Sequence, residues 1–297
     1  MKKKERKKIL ITAGNSNIGS DLINYFLKKN YKIFETYRNK KNRLNNSKIF
    51  HVKYNFKNKF SIKEDFDLLI HCASLTPYKY KISDTFINLN LIGLKKILYS
   101  DSRFRKIVLL SSVSVYGKIN NNILSENYKK ESIDAYGISK LKMEKLLINY
   151  CKKKKINYII LRLPGVVGNF QTDVNFINNI ILKFSKNKLV EYKNPNSYFN
   201  NVVHTESIAK ISEKLLLSKN AKFKNKILNI CSVKPIKLVN LINKIKNKFK
   251  SKSKIKILQS SRSFIISSKK CKKYNINLMT TDKSIEKNID YIKKYKL

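Results

Sequence analysis

Short, almost wholly apolar runs alternate with longer amphipathic stretches through the first half of the chain. Strands that are apolar along their whole length are buried on both faces, and their alternation with helices is typical of a parallel sheet that helices cover on both sides. The sequence therefore predicts an α/β fold with a doubly wound parallel sheet. The predicted strands are Lys8–Thr12, Lys32–Thr36, Ile49–Tyr54, Asp67–Cys72, Lys106–Ser111 and Tyr158–Leu163. The predicted helices are Ile18–Lys29, Phe86–Ser100 and Tyr136–Lys153.

The second half is less regular and predicts a smaller α/β lobe. A chain of 297 residues is long enough for two unequal domains. We predict domains 1–164 and 165–297, and we expect some segments of the second to return to the first sheet. Within the second domain the predicted helices are Phe176–Lys186, Ser207–Leu217 and Lys237–Phe249, and the predicted strands are Ile227–Ile230 and Ile255–Leu258.

The formal net charge of +46 arises from 65 Lys and Arg residues against 19 Asp and Glu residues. A nucleic-acid-binding protein concentrates its positive charge on one face or tail. Here the lysines run along the whole chain, and Asn and Ile are abundant beside them, as an AT-rich genome would produce. We therefore predict no specific nucleic-acid partner, although a positive field can still attract an anionic small substrate.

The four cysteines, Cys72, Cys151, Cys231 and Cys271, lie far apart without CxxC spacing. This distribution argues against a zinc site and against a disulfide framework, and it suits a reducing cytosol. The basic start of the chain is followed by no long apolar run, which argues against a signal peptide and a membrane span. We predict a cytoplasmic protein with no bound metal and no membrane partner.

The first predicted strand runs directly into the turn Ala13-Gly-Asn-Ser-Asn-Ile-Gly19 and then into a helix. A glycine-rich turn at this place lets backbone N–H groups at a helix N-terminus approach a pyrophosphate, as in a Rossmann-type dinucleotide site. Ala13 and Ser16 stand where a three-glycine fingerprint has its first two glycines, and only Gly19 fits. The sequence predicts a dinucleotide site with a weakened glycine turn.

The end of the second strand indicates which nicotinamide cofactor the site prefers. A site that prefers NAD usually places Asp or Glu there to bind the ribose hydroxyls. This chain has Tyr37 followed by Arg38. A guanidinium can bind a 2′-phosphate bidentately, which favours NADP over NAD. A solvated surface charge at Arg38 is the alternative.

A Tyr-x-x-x-Lys spacing places a phenol and an ammonium on one face of a helix, one turn apart. The ammonium stabilises the phenolate, so the tyrosine becomes a usable general acid or base. Tyr136/Lys140 shares this spacing with Tyr25/Lys29, Tyr37/Lys41 and Tyr150/Lys154.

Sequence context distinguishes Tyr136 from the other three tyrosines. Only Tyr136 follows a predicted buried strand that ends in hydroxyls, in the segment Ile107–Gly117, and continues into a clean amphipathic helix. We predict Tyr136 and Lys140 as the catalytic pair, with Ser112 hydrogen-bonded to the substrate oxygen. Simple capping of the strand end is the alternative role for Ser111 and Ser112.

An ordered series of motifs over nearly the whole chain resembles the extended short-chain dehydrogenase/reductases, in the NAD-dependent epimerase/dehydratase group that acts on nucleotide sugars. The motifs are ITAGNSNIGSDL, DLLIHCAS (67–74), NLIGLKKIL (90–98), LLSSVSVYG, YGISK, LRLPGVVG (161–168), VVHTESIA (202–209), ILNICSVKPIKL (227–238) and SSKKCKKYNI (267–276). Their order is more specific than any single member.

The resemblance implies site residues position by position. Ser112, Tyr136 and Lys140 take the catalytic places. The implied cofactor-binding residues are Gly14, Asn17, Ile18, Gly19, Arg38, Asn55, Phe56, Cys72, Ala73, Ser74, Asn90, Ser111, Tyr136 and Lys140. In the family pattern His71 and His204 are packing residues beside the sheet rather than ligands.

Several departures from the family pattern bear on the reaction. Dehydratases of this family carry an acidic pair directly after the catalytic hydroxyl, where this chain has Val113 and Ser114. Gly165 stands where many relatives have a substrate-binding Asn, and Asn200 and Asn201 occupy the stretch of a usual Arg.

The resemblance implies an NAD(P)-dependent oxidoreductase that reduces a 4-keto sugar or epimerises C4 of a nucleotide-linked sugar. Residues 1–164 would bind NAD(P) and 165–297 would form most of the substrate-binding lobe. The weakened turn and Arg38 favour the reductase with NADP. A homodimer through the helix pair that includes Tyr136–Lys153, and a polysaccharide pathway, are implied as well. The alternative is a non-catalytic Rossmann module that senses NADP(H) or binds nucleic acid.

Overall fold

A computed structural model describes residues 6–39, 44, 46–56, 58–76, 84–169, 175–219, 221–260 and 262–295. The chain forms two compact units, and both are discontinuous in sequence. The first comprises Met1–Lys118, Lys129–Arg162 and Ile208–Leu228, and the second comprises Ile119–Tyr128, Leu163–Ser207 and Asn229–Leu297. Residues 208–228 therefore belong to the first unit although they follow position 164.

Strands and helices alternate along the chain in the following order. The elements are β1 (Lys8–Ile11), α1 (Asn17–Leu27), β2 (Lys32–Tyr37), β3 (Ile49–Lys53), β4 (Asp65–Phe66), β5 (Leu68–His71), α2 (Asp84–Leu98), β6 (Arg103–Phe104), β7 (Lys106–Ser112), a 3-10 turn (Val113–Tyr116), β8 (Ile123–Leu124), α3 (Ala135–Lys154), β9 (Asn157–Leu163), β10 (Gly165–Val167), α4 (Phe176–Ser185), β11 (Val190–Tyr192), β12 (Tyr198–Phe199), β13 (Val202–His204), α5 (Thr205–Leu217), a 3-10 turn (Ala221–Phe223), β14 (Lys226–Asn229), β15 (Ile236–Lys237), α6 (Leu238–Phe249), β16 (Ile255–Ile257), β17 (Ile265–Ile266), α7 (Lys269–Lys273) and α8 (Thr281–Tyr295).

The first unit is built on a seven-stranded sheet in the order β14-β9-β7-β5-β1-β2-β3. The pairs β1–β2, β1–β5, β2–β3 and β5–β7 are parallel. The strand order reverses at β1, which pairs with β5 on one side and β2 on the other. Ligands of open α/β sheets bind at the carboxyl ends of the strands beside such a reversal. The predicted doubly wound Rossmann-type fold is confirmed.

Burial explains why the apolar runs form the central strands. Three successive residues are fully buried in each of β1, β5 and β7, at positions 9–11, 68–70 and 107–109. Successive side chains of a strand point to opposite faces, so both faces of the sheet are covered.

The second unit packs helices against short strand pairs. β10 pairs with β13, β11 with β16, β12 with β15, and β8 with β17. Its core includes Ile181 of α4, Leu241 of α6 and Ile289 of α8. No helix is predicted above for 281–295, although Ile285, Ile289 and Ile292 recur at helical spacing and are buried.

Within the described ranges, no helix has the length and apolar character needed to cross a membrane.

Candidate active site

The turn after β1 adopts a backbone conformation typical of glycine, although Ala13 and Ser16 stand at two of the usual glycine positions. Ala13 adopts a left-handed conformation with φ 51°, which costs an L-residue about 1–2 kcal/mol. The Ala13 N–H donates to Thr36 Oγ1 and the Gly14 N–H donates to the Thr36 carbonyl, both over 2.9 Å. These two bonds to β2 hold the strained turn in place.

Gly19 is required because the backbone approaches it closely. A methyl group at Gly19 would lie 2.3 Å from the Ala13 carbonyl oxygen. Ser16 caps α1, and its Oγ accepts from the Gly19 N–H over 3.1 Å. The helix N-terminus beyond this close turn carries a partial positive charge, so the turn fits the pyrophosphate of a dinucleotide. Asn17 and Ile18 lie half-buried in its first turn.

A buried carboxylate that is not among the predicted site residues lies beneath this turn. Glu35 is fully buried in β2, and its Oε1 lies 2.5 Å from Nδ1 of His51, its register partner on β3. A methyl group at Gly14 would lie 2.2 Å from Glu35 Oε2. Gly14 therefore makes room for the Glu35 side chain. An acidic residue inside an apolar strand was the available signal, since a buried charge needs a partner.

The residues predicted for the adenosine side lie at the ends of β2 and β3. Arg38 directly follows β2 and is exposed, whereas Asn55 and Phe56 follow β3 and are half-buried. The Phe56 ring lies against Gly93 of α2. These positions share the carboxyl edge of the sheet with the turn after β1.

Thr12 organises the end of β5. Its Oγ1 accepts from the N–H groups of Cys72 and Ala73, both over 2.9 Å, and lies 3.2 Å from His71 Nδ1. His71 is buried, and burial followed by the charge of Lys140 lowers the pKa of its imidazole to about 3. A neutral, buried His71 fits the packing role that the sequence indicates.

Asn90 connects this segment to two helices. Its Oδ1 accepts from the Leu75 N–H over 2.7 Å, and its Nδ2 donates to the Leu75 carbonyl and to Ser139 Oγ. Asn90 is buried on α2 and Ser139 is buried on α3. Asn90 thus fixes the chain just after the predicted cofactor residues Cys72, Ala73 and Ser74.

Tyr136 and Lys140 lie in the first turns of α3. Asp134 caps this helix and accepts from the Gly137 N–H over 2.7 Å. The buried Lys140 Nζ donates to the Leu110 carbonyl of β7 over 2.9 Å and lies 5.5 Å from the ring centroid of the half-buried Tyr136. The ammonium is therefore held beside the phenol at the end of β7.

Opposing effects act on the Lys140 ammonium. Burial lowers its pKa to about 8, while Cys72 and Glu144 act in the raising direction. A lysine with a pKa near neutrality responds to small changes in the charges around it.

Ser112 and Ser111 form the end of β7. Ser112 Oγ accepts from the Ser114 N–H and donates to Ser114 Oγ, both over 3.1 Å, so Ser112 caps the 3-10 turn. Ser111 Oγ donates to Glu144 Oε1 over 2.5 Å in the interior. Ser112 thus has a capping role, and its predicted contact with substrate oxygen remains a prediction.

Other Tyr-x-x-x-Lys pairs have different surroundings. The Tyr25 hydroxyl donates to Glu213 over 2.6 Å, and Lys29 Nζ lies 3.7 Å from the same carboxylate. The Tyr150 ring packs against Tyr99, with centroids 5.3 Å apart. Lys41 lies outside the described residues.

The second unit has a cavity of about 420 Å³. Aromatic, leucine, polar and charged side chains line it: Phe176, Glu191, Tyr192, Lys193, Asn194, Ser197, Tyr198, Phe199, Asn201, Leu238, Leu258, Arg262, Ser263 and Phe264. Arg262 Nη1 donates to Asn120 Oδ1 over 2.7 Å.

Asn200 lies in the stretch where the family pattern usually has an Arg. Its Nδ2 donates to the Ile266 carbonyl and its Oδ1 accepts from the Ile266 N–H, over 2.8 Å each. His204 is buried, and its Nδ1 accepts from the Glu206 N–H.

Known proteins resemble this chain in sequence and in fold. The NAD dependent epimerase/dehydratase family matches residues 9–231. A Methanocaldococcus jannaschii protein, provisionally assigned as a UDP-glucose 4-epimerase, is 26% identical over 260 residues, covering 80% of this chain and 81% of its own length. The dTDP-D-glucose 4,6-dehydratase of Dictyostelium discoideum is 30% identical over 213 residues, covering 61% of this chain and 49% of its own length.

Solved structures share the fold at low identity. The UDP-glucose 4-epimerase of Thermotoga maritima, crystallised with UDP-glucose, superposes with a TM-score of 0.80 at 15% identity, covering 98% of this chain and 100% of its own. The UDP-glucuronic acid 4-epimerase of Bacillus cereus, in complex with UDP-glucuronic acid and NAD, gives a TM-score of 0.77 at 18% identity, covering 97% and 99%.

Proposed function

The chain belongs to the NAD-dependent epimerase/dehydratase family, and on that premise we propose that it epimerises C4 of a nucleotide-linked sugar by hydride transfer. The observation that carries the proposal is the buried Lys140 ammonium, held by the Leu110 carbonyl beside the Tyr136 ring. It lies near the carboxyl end of β7, one strand (β5) away from the reversal at β1 and on the sheet edge where ligands of such sheets bind.

Tyr136 would move the proton of the C4 hydroxyl. As the phenolate, which the Lys140 ammonium favours, it removes that proton as a general base, and as the phenol it returns the proton as a general acid. Ser112 orients the substrate oxygen. A bound nicotinamide would supply the redox chemistry at C4, as acceptor and then donor of a hydride.

The residues after Ser112 favour hydride transfer without elimination of water. Elimination needs an acid and a base beside the reacting carbons. Val113 carries no ionisable group, and the hydroxyl of Ser114 is hydrogen-bonded to Ser112. A dehydratase activity is accordingly not proposed, although one relative carries that name.

Different groups of residues at the carboxyl edge of the sheet would each hold one part of the cofactor. The turn residues Gly14, Asn17, Ile18 and Gly19 would bind the pyrophosphate, and Arg38, Asn55 and Phe56 the adenosine. The backbone of Cys72, Ala73 and Ser74 would line the cofactor, with Asn90 holding that segment, and Lys140 would bind the nicotinamide ribose. Ser111 is also among the proposed cofactor-binding residues, because it directly precedes Ser112 on β7.

A 4-keto reductase is the second candidate, and Arg38 is the observation that favours it. An exposed guanidinium at the end of β2 suits the 2′-phosphate of NADP. A reductase exchanges its cofactor in each cycle, whereas an epimerase keeps it. The family is described by its dependence on NAD, so we place epimerisation first.

The cavity of the second unit would bind the nucleotide part of the substrate. Tyr198 and Phe264 offer aromatic faces for a base, and Arg262 offers a guanidinium for the diphosphate. We further propose a homodimer through the helix pair that includes α3, a cytoplasmic location and a role in polysaccharide biosynthesis.

The test begins with the protein as purified. Any bound nicotinamide is identified by mass spectrometry, and UDP-, GDP- and dTDP-sugars, with 4-keto sugars among them, are followed by NMR with and without added cofactor. We expect inversion at C4 of one substrate without net consumption of cofactor. Stoichiometric consumption of NADPH would establish the reductase instead. A folded protein that binds nicotinamide but changes no sugar in the panel would contradict both.

A further inference from the structure

A buried ion pair joins four elements behind the candidate site. Glu144 of α3 and Arg162 of β9 form two hydrogen bonds, Nε to Oε1 over 3.0 Å and Nη2 to Oε2 over 2.7 Å. The Ser111 hydroxyl donates to the same Oε1, and Arg162 Nη1 donates to the Tyr116 hydroxyl over 2.8 Å. Glu144 and Arg162 are only 3% and 2% exposed, so water contributes little to their solvation.

Three members of this cluster lie close in sequence to side chains of the candidate site. Ser111 precedes Ser112 on β7, and Tyr116 ends the 3-10 turn that Ser112 caps. Glu144 lies one helical turn after Lys140 and two turns after Tyr136. The cluster therefore restrains Ser112 at the end of β7 as well as Tyr136 and Lys140 in the first turns of α3.

Stability alone gives a weak reason for such a pair. Removing two charges from water costs free energy that their attraction barely repays, and apolar side chains of similar volume are often equally stable. What the pair offers over apolar packing is direction, because a bidentate guanidinium–carboxylate contact fixes both partners in angle as well as distance.

We propose that Glu144 and Arg162 are positioning residues for the reaction proposed above, on which this inference rests. The pair holds Ser112 in place through Ser111 and Tyr116, and it holds Lys140 in place through α3. Neither residue needs to touch the substrate or the cofactor.

The pair also balances charge around Lys140. The charged and titratable groups that act on Lys140 are Cys72 and Glu144, and its own charge acts on His71 of β5. Tyr136 faces it from α3, and the Leu110 carbonyl faces it from β7. Removing one partner of the Glu144–Arg162 ion pair leaves an uncompensated charge close to Lys140.

Three variants distinguish an effect on the position of the site residues from an effect on the stability of the fold and from an effect of charge. Glu144→Gln leaves Arg162 uncompensated, and the added positive field should lower the pH at which the Tyr136 phenol ionises. Arg162→Gln leaves Glu144 uncompensated and should raise that pH. The double variant Glu144→Met/Arg162→Met has no net charge change and an apolar pair in place of the ionic one, which favours retention of the fold.

The phenol is titrated by ultraviolet difference absorbance against Tyr136→Phe, which needs no substrate. Turnover is then measured on the nucleotide sugar. We expect opposite shifts for the two single variants, and for the double variant a titration near that of the native protein. The double variant should lose roughly 10- to 100-fold in kcat, because small misplacements at a reacting centre are costly, with KM little changed.

Lys106→Met is the stability control. Lys106 Nζ donates to the carbonyls of Leu215, Leu216 and Ser218, so its loss destabilises the first unit without changing any group of the site. Native kcat per folded molecule in the double variant would overturn the proposal, as would single variants whose titrations move together or not at all. If the native protein turns over no sugar, the proposed function fails, and the two titrations still decide this inference.

Discussion

The turn after β1 and the end of β7 lie on the same edge of one parallel sheet, yet different forces hold them. The turn keeps a strained Ala13 at φ 51° and ties it to Thr36 of β2 by two hydrogen bonds. The end of β7 contains no such strain, and the buried Glu144 and Lys140 of α3 bind it directly. Arg162 of β9 in turn binds Glu144. Backbone geometry thus determines the shape of the turn, where we propose that the cofactor binds, whereas buried polar contacts determine the position of the residues that we propose for proton transfer.

This contrast predicts which property a substitution in each region should change. Changes at the turn should act mainly on cofactor affinity and stability, because they alter the backbone that we propose to bind the pyrophosphate. Changes at the end of β7 and the start of α3 should act mainly on turnover.

The largest effect is expected for Tyr136→Phe. Only the oxygen proposed to transfer the proton is removed, so turnover should fall by about 10²- to 10⁴-fold while cofactor binding survives. Steady-state kinetics and a cofactor titration measure the two quantities. Tyr25→Phe is the matched control, since Tyr25 shares the spacing but donates to Glu213. Near-native turnover of Tyr136→Phe would remove Tyr136 from the reaction.

Gly19→Ala should break the turn. Its methyl group would lie 2.3 Å from the Ala13 carbonyl oxygen, and relief of that clash must distort the backbone. We expect cofactor affinity to fall roughly 10- to 100-fold, as a strain of 1–3 kcal/mol implies. Calorimetric titration with NAD(H) checks this. Unchanged affinity would mean that the cofactor does not use this turn.

The pH dependence should separate turnover from stability. Burial lowers the pKa of Lys140 to about 8 from its usual value of 10.5. Above pH 8 the folded protein has lost this proton while the unfolded chain still holds it, so the unfolding free energy gains from Lys140 as pH rises between these values. Turnover should fall over the same range, because the neutral amine no longer favours the phenolate.

Rate and denaturation profiles, each compared with Lys140→Met, measure the two trends. Turnover that stays flat through this range would show that the Lys140 charge does not support the reaction.

Arg38→Ala tests the adenosine side. If Arg38 binds a 2′-phosphate, its loss should weaken NADP(H) by about 10-fold or more, as a charge-assisted hydrogen bond is worth about 1.5–3 kcal/mol, and leave NAD(H) almost unchanged. Competitive binding of both cofactors measures the ratio. An equal effect on both would make Arg38 a solvated surface charge.

The smallest effect is expected for Ala13→Gly. Glycine removes the left-handed strain but adds flexibility to the unfolded chain, so the net gain should be roughly 0.5–1 kcal/mol in the free energy of unfolding. Denaturant titration measures it. Lys155→Gly is the matched control, since Lys155 ends α3 at φ 54° far from the turn. A gain at Lys155 with none at Ala13 would indicate that Ala13 carries no strain.

The sequence predicted what depends on local pattern. The buried runs of β1, β5 and β7 identify those strands to within one or two residues, because burial on both faces requires apolar residues along the whole strand. The predicted helix Tyr136–Lys153 matches α3 to within one residue at each end. The terminal helix α8 was missed, since its apolar positions are separated by many charged residues.

The supporting contacts of the site could not be predicted in the same way. Arg162 lies in the apolar run of β9 and Glu144 lies on α3, so each signals a buried charge that needs a partner. Their pairing joins residues 18 positions apart, and only the packing of α3 onto the sheet brings them together. Likewise, the sequence marks Glu35 as unusual, but the three-dimensional fold identifies His51 as its partner.

The most direct test of the account uses a nucleotide hexose labelled with deuterium at C4, offered to the protein as purified. Hydride transfer to and from a retained cofactor predicts inversion at C4 with the deuterium kept in the product, no net cofactor consumption, and no such product from Tyr136→Phe. Inversion with loss of deuterium to solvent would contradict the account, because the hydrogen would then leave as a proton. Native inversion by Tyr136→Phe would contradict it as well.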